Sequence, residues 1–337
     1  MTSTRRTLLT PARLTPTVLS LAALCLSACA GAPEPTAAAA EDRSGYPVKV
    51  TSCGFTSTIT SRPQRAVTMN QGATEVALAL GVEDQLAGTA YLDDSVPKRW
   101  QEAYDSVPVL SKDYPDHESL LATKPDFVYG SYASAFDREA AGAQSELADL
   151  GIGSLTSLFG CADNTPSEDV SFEAVWREIE LVGDVFGVPD RASRISTDQQ
   201  EQLAALERDR VGEGLDVFWF DSGDKTAFAG AGEGGPQLIL DAEGATNVFA
   251  DLRGGWADVS WEKVVATDPD VIVLADASWS SAADKIAFLQ KDPVLSTLDA
   301  VRDERFVVLP FSETTPGVRL ADGAQAVADG LATLDRG

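Results

Sequence analysis

The chain has 337 residues, 44% hydrophobic and 7% aromatic, with 27 glycines and 17 prolines; these proportions exclude collagen-like, low-complexity and wholly disordered chains and leave room for two ordinary domains. Its 26 Lys and Arg stand against 52 Asp and Glu, a formal charge of −26 with no basic stretch to offset it, which excludes nucleic acid as a partner. The single histidine, His117, leaves little material for a His-based zinc site or a Ser-His-Asp relay.

Residues 1–28 hold Arg5, Arg6 and Arg13 and no acid, followed by an apolar run from Val18 to Leu26 that is too short to span a bilayer; this reads as a signal peptide. It ends Leu26-Ser27-Ala28-Cys29, which resembles the bacterial lipobox, in which the cysteine is lipidated and becomes the new N-terminus. Residues 29–46 are rich in Ala and Pro and almost free of large apolar side chains, so they read as a tether from a lipid anchor to the folded part. With Cys25 removed and Cys29 lipidated, Cys53 and Cys161 remain as an even pair in an oxidising compartment; a disulfide is expected, with two buried thiols as the alternative.

From Arg65 short apolar runs alternate with helical patterns, which predicts an α/β fold with mostly parallel sheets. The predicted strands begin at Ala66, Asp126, Gly153, Asp216, Val271 and Arg305, and the first is followed by a helix from Ala73 to Leu80 that Gly81 stops. An internal echo pairs Glu118-Ser-Leu-Leu-Ala-Thr-Lys-Pro-Asp126-Phe-Val with Glu262-Lys-Val-Val-Ala-Thr-Asp-Pro-Asp270-Val-Ile, each reading as Glu, short helix, Pro-Asp, strand. The repeat suits two similarly built lobes, 47–187 and 211–337. Between them, 188–210 reads as one long polar helix with Pro189 in its first turn, a strut of roughly 30 Å joining the lobes. The Gly230–Gly235 run lacks the Gly-Lys-Ser/Thr of a phosphate loop and reads as a plain loop.

The stretches Arg65-Ala-Val-Thr-Met-Asn-Gln-Gly-Ala-Thr-Glu75, Leu80-Gly-Val-Glu-Asp, Pro125-Asp126, Asn247-Val-Phe-Ala-Asp-Leu and Trp256-Ala-Asp-Val-Ser-Trp-Glu262, in this order behind a lipobox, resemble the substrate-binding lipoproteins of ABC importers that serve ferric siderophores, haem and cobalamin. The resemblance implies two α/β lobes bridged by one long helix, a ligand cleft between them, and no catalysis and no cofactor. It implies as partners a small-molecule solute, an ABC permease with its ATPase, and the membrane through the lipid anchor, with the protein working as a monomer. By motif, Glu118 and Glu262 match the glutamates that dock on permease arginines in cobalamin-type members; the bland reading is that each stabilises the first turn of its helix. Glu75 is read as a first-turn cap.

For the cleft, the family pattern points to loops at the carboxyl ends of strands. In the first lobe these carry Asn70, Gln71, Tyr91, Tyr114, Ser131 and Tyr132, and in the second Phe220, Asp221, Arg253, Trp256, Trp279 and Arg319. Tyr91 and Trp256 match ligand-stacking positions of cobalamin binders. The first-lobe loops lack an arginine cluster and His117 stands alone, which argues against citrate-type siderophores and haem. The stretch from Asp276 to Ile286, with Phe311 and Pro316-Gly-Val-Arg319, also resembles an actinobacterial subgroup proposed to bind a deazaflavin coenzyme precursor bearing phospholactate, whose anionic groups Arg319 or Arg253 would hold. The remaining classes are a surface interaction lipoprotein and a two-lobed α/β transferase, although no pair of acids is singled out by spacing for catalysis.

Overall fold

The computed structural model describes residues 45–162 and 166–334; the signal segment, the lipidation position Cys29 and most of the tether lie outside them. The first element is a hairpin that the sequence reading missed, β1 (Val48–Ser52) against β2 (Phe55–Ile59). Its two-residue turn is Cys53-Gly54, and both take positive φ (52° and 76°), as a tight turn between twisted strands requires. Cys53 is bonded to Cys161, 108 residues on, with a Cα–Cα distance of 5.2 Å.

Five strands follow: β3 (Ala66–Met69), β4 (Leu86–Ala90), β5 (Val109–Ser111), β6 (Phe127–Gly130) and β7 (Gly153–Thr156), parallel throughout and ordered β5-β4-β3-β6-β7. Every residue of β3 and β6 is buried, as expected where helices cover both faces of a parallel sheet. The second sheet contains β8 (Asp216–Ser222), β9 (Ala227–Gly230), β10 (Thr246–Asn247), β11 (Trp256–Val259), β12 (Val271–Asp276) and β13 (Phe306–Pro310), ordered β11-β9-β8-β12-β13 with β10 beside β8. Here β8, β10, β12 and β13 are parallel, whereas β9 runs antiparallel to both β8 and β11. The chain between β8 and β9 spans only residues 223–226, too few for a crossover helix, so β9 must return as a hairpin.

The echo is built twice in space. Asp126 accepts from the backbone N–H of Gln64 (2.7 Å) and Arg65 (3.0 Å), tying the start of β6 to the start of β3. Asp270 accepts from the N–H of Asp216 (2.8 Å), tying β12 to β8 in the same way.

The strut is a single helix, Pro189–Asp209, closed by Arg210 in the left-handed conformation. It packs on the preceding helix, Phe172–Val185, at Gly183, where an added Cβ would lie 2.4 Å from that of Ala192. Gln199 joins the two sides, accepting from Trp176 Nε1 at 3.1 Å and donating to the Val318 carbonyl at 2.7 Å. One apolar core runs through this helix, from Phe127 and Phe186 on one side to Trp219 and Leu331 on the other. Among the described residues no helix is long and apolar enough to cross a membrane.

Candidate functional site

In both sheets the chain proceeds outward in one direction and then resumes on the other side of its first strand. The crevices lie between β3 and β6 and between β8 and β12, and an open α/β sheet binds ligands at the carboxyl ends of strands at such a point. The two crevices face one cleft of about 1210 Å³, lined from both lobes.

Of the residues expected there, Gln71, Ser131 and Tyr132 line the cleft from the first lobe, and Asp221, Arg253, Trp256, Trp279 and Arg319 from the second. Trp256 stacks on Phe228 with ring centroids 5.8 Å apart, and Trp279, 52% exposed, meets Phe311 edge-on at 4.9 Å. Ser131 Oγ accepts from the N–H of Ala73 at 2.8 Å, so its work is to hold the start of the helix Gln71–Ala79.

Asn70, Tyr91 and Tyr114 form the structure behind this wall. The Tyr114 hydroxyl donates to Asn70 Oδ1 (3.0 Å), and the Tyr91 ring meets the Tyr114 ring edge-on at 4.6 Å. Asn70 (φ 71°) and Tyr91 (φ 55°) both take positive φ at the ends of adjacent strands, a cost that packing must offset and that gathers at functional sites. Phe220 is a correction: it is 1% exposed and packs edge-on against Trp261 at 5.1 Å, in the core. Side chains alternate along β8, so placing Asp221 on the cleft turns Phe220 away from it.

Glu75 is a second correction. The helix begins at Gln71, so Glu75 lies beyond the first turn, 2% exposed and directed into the protein. It closes a polar ring across the cleft floor. Gln71 Nε2 donates to Glu75 Oε1 (2.7 Å), Arg319 Nη1 donates to the same oxygen (3.2 Å) and to Ser312 Oγ, Ser312 donates to Asp94 Oδ2 (3.3 Å), and the Asp94 N–H returns to Gln71 Oε1 (3.2 Å). The other arm of Arg319 is held by Glu313. Burial pushes the Glu75 carboxyl up to about 7, against the pull of Arg319. Burial also opposes charge on Arg319, but Glu75 and Glu313 outweigh it and hold the guanidinium pKa above its ordinary value.

The sequence reading therefore missed Glu75, Asp93, Asp94 and Glu313 as members of the site. An acid inside the otherwise apolar helix segment Ala-Thr-Glu75-Val-Ala-Leu was the signal for the first, and Asp93-Asp94 just past the end of β4 was the signal for the pair.

Glu118 and Glu262 are both exposed, and each is the second residue of its helix: His117–Ala122, capped by Asp116, and Trp261–Thr267, capped by Ser260. A backbone N–H and the Ser260 hydroxyl hold the Glu262 carboxyl below the usual carboxylate range.

The profile of the periplasmic binding protein family matches residues 67–313, which takes in strands of both sheets. The chain is 26% identical over 323 residues to YvrC, an uncharacterized ABC transporter substrate-binding lipoprotein of Bacillus subtilis, covering 93% of this chain and 95% of the relative. It is 26% identical over 280 residues to a vitamin B12-binding protein of Pectobacterium carotovorum, covering 82% and 91%. A solved periplasmic binding protein from Veillonella parvula shares 30% identity and superposes with a TM-score of 0.73, over 84% of this chain and 96% of the other. Two sheets whose switch points open on a shared cleft, one helix joining them, and a profile that spans both place the chain in the periplasmic binding protein family.

Proposed function

We propose that this protein is the extracytoplasmic receptor of an ABC importer, held to the membrane through a lipid on Cys29. It captures a bulky ring-bearing solute of the ferric siderophore or corrinoid class and presents it, without chemical change, to a permease driven by its ATPase. The observation that carries the reading is the cleft: at about 1210 Å³ it exceeds the usual drug-sized pocket, and it offers Tyr132, Trp256, Trp279 and Phe311 as ring-stacking surfaces from both lobes. The named relatives, a substrate-binding lipoprotein and a vitamin B12-binding protein, support the transport role. Glu118 and Glu262, at matching positions of the two echoed joints, are the proposed contacts to permease arginines. The deazaflavin alternative would have to place its anion on Arg253, since both arms of Arg319 are already taken by Glu75 and Glu313.

The test is a thermal-shift and tryptophan-fluorescence screen of the purified protein against ferric hydroxamates, ferric catecholates, corrinoids, haem and deazaflavins. A ligand at a hundred times its Kd should stabilise the fold by about 2.7 kcal/mol, and a bound chelate should quench Trp256 and Trp279. Silence from every chelate and corrinoid refutes the proposed cargo.

A further inference from the structure

We infer that Asp93 and Tyr132, which both line the cleft and are backed by Tyr91 and Tyr114, form a box for a positively charged group on the solute, so that the cleft selects cationic cargo. The inference rests on the receptor reading above and adds to it the charge of what is carried.

Asp93 lines the cleft half-buried, and among the described residues no hydrogen bond or ion pair reaches its carboxylate; only its backbone carbonyl is engaged, by Ser278 Oγ at 3.2 Å. A carboxylate removed from water without a partner is costly, and burial together with the neighbouring charge of Asp94 raises its pKa. The tyrosines around Asp93 are Tyr132, on the same cleft wall, and the packed pair Tyr91 and Tyr114 behind it. The Asp93 charge acts on the hydroxyls of Tyr114 and Tyr132, and each of these in turn feels Tyr91. Tyr132 leaves 42% of its surface exposed beside the cleft, yet its hydroxyl is desolvated and pushed up to about 12. Tyrosine faces beside an unpaired carboxylate give an ammonium or other cation both quadrupole attraction and a counter-charge.

The box is also held in shape. Tyr91 sits at φ 55°, Tyr114 is pinned between Asn70 Oδ1 (3.0 Å) and Ser134 Oγ (2.9 Å), and the two rings are 4.6 Å apart edge-on. Residues kept at costly backbone angles by their surroundings mark places where position matters more than stability. The rest of the cleft carries an excess of the matching sign: Asp94 and Asp221 line it and Arg319 is neutralised within the polar ring, against one unpaired lining cation among the described residues, the exposed Arg253. An excess of one sign on low-dielectric walls focuses the potential and concentrates the opposite charge.

The test uses solutes that differ by one charge. One pair is a linear ferric trihydroxamate with a free terminal amine and the same chelate with that amine acetylated; the other is a corrinoid with water as its upper ligand, which is cationic, and its neutral cyanide form. Affinities are read by tryptophan quenching for the native protein, Asp93→Asn and Tyr132→Leu. In at least one pair the native protein should bind the cationic member about ten- to thirtyfold more tightly. Asp93→Asn should bring that pair to within about twofold by weakening the cationic member, and a cooperative urea transition like the native protein's checks that the variant is folded. Tyr132→Leu should lower the ratio in the same direction. A preference confined to the hydroxamates assigns the box to an alkylammonium; one confined to the corrinoids assigns it to a net-cationic complex. Equal affinities within both pairs, or a preference that survives Asp93→Asn, overturns the inference and leaves the receptor reading intact. Binding of neither pair overturns both.

Discussion

Replacing Glu75 with glutamine tests the polar ring on the cleft floor. The Glu75 carboxyl titrates near 7 in the folded protein against 4.5 ordinarily, so the fold holds this proton more tightly than the unfolded chain does. For an acid raised in this way, the stabilisation is complete below the unfolded value of 4.5 and is lost as pH rises through the folded value of about 7. Integrated from about pH 5 to about pH 8, the loss is about 2 to 3 kcal/mol. Asp93, Asp221, Glu243 and Glu313 are shifted the same way, so the native protein's pH profile mixes several groups. Glu75→Gln separates one of them: the amide keeps an oxygen for Gln71 or Arg319 and has no proton to lose. Urea unfolding of both proteins across that window should show the difference between them moving by about 2 to 3 kcal/mol in favour of the glutamine variant as pH rises, with the slope on urea unchanged. Parallel pH profiles would refute the reasoning, because they would mean that Arg319 keeps Glu75 ionised at an ordinary pKa.

Glu118→Arg with Glu262→Arg should leave solute affinity within about twofold and abolish uptake by whole cells, since rim charges set encounter and register rather than cleft packing; normal uptake removes the docking assignment. Trp256→Ala should weaken solute binding by about 1 to 3 kcal/mol, the range seen for ring stacking on aromatic side chains; an unchanged Kd with a lowered melting temperature would show that Trp256 serves only its stack with Phe228. Reduction of Cys53–Cys161, whose loop spans 108 residues, should lower stability by up to about 4.7 kcal/mol. Non-reducing peptide mapping checks the bond itself, and a chain whose denaturation midpoint ignores reductant would refute the stabilising role.

Periodic and local features of the fold were legible in the sequence. The helix Pro189–Asp209 announces itself by proline in its first turn and a sustained polar pattern, and the strands at Ala66 and Val271 by short apolar runs between helical segments. The repeated Pro-Asp joints were visible too, although not that each aspartate ties one strand to the start of another. The antiparallel placing of β9 and β11 was not legible as a parallel-sheet departure, because strand direction depends on which neighbour each one meets. The cleft was read through its loops, and most of the named side chains reach it; Phe220 failed because one residue along a strand reverses the face. The polar ring was invisible for a different reason. Arg319 and Glu75 lie 244 residues apart, and nothing near either one states that its partner is the other.

The single helix between the lobes also bears on how transport is regulated. A continuous helix with core packing on both sides resists bending, since each bend breaks its own hydrogen bonds as well as that packing. In the proposed receptor role, loading would therefore reshape the protein little, and its empty and full forms would offer a permease nearly the same face. Empty copies would then compete for the transporter, and import would follow the ratio of loaded to unloaded receptor more than the amount loaded. At scarce solute, overproducing the receptor should slow uptake; a steady rise in uptake with receptor level would show that the permease tells the two forms apart.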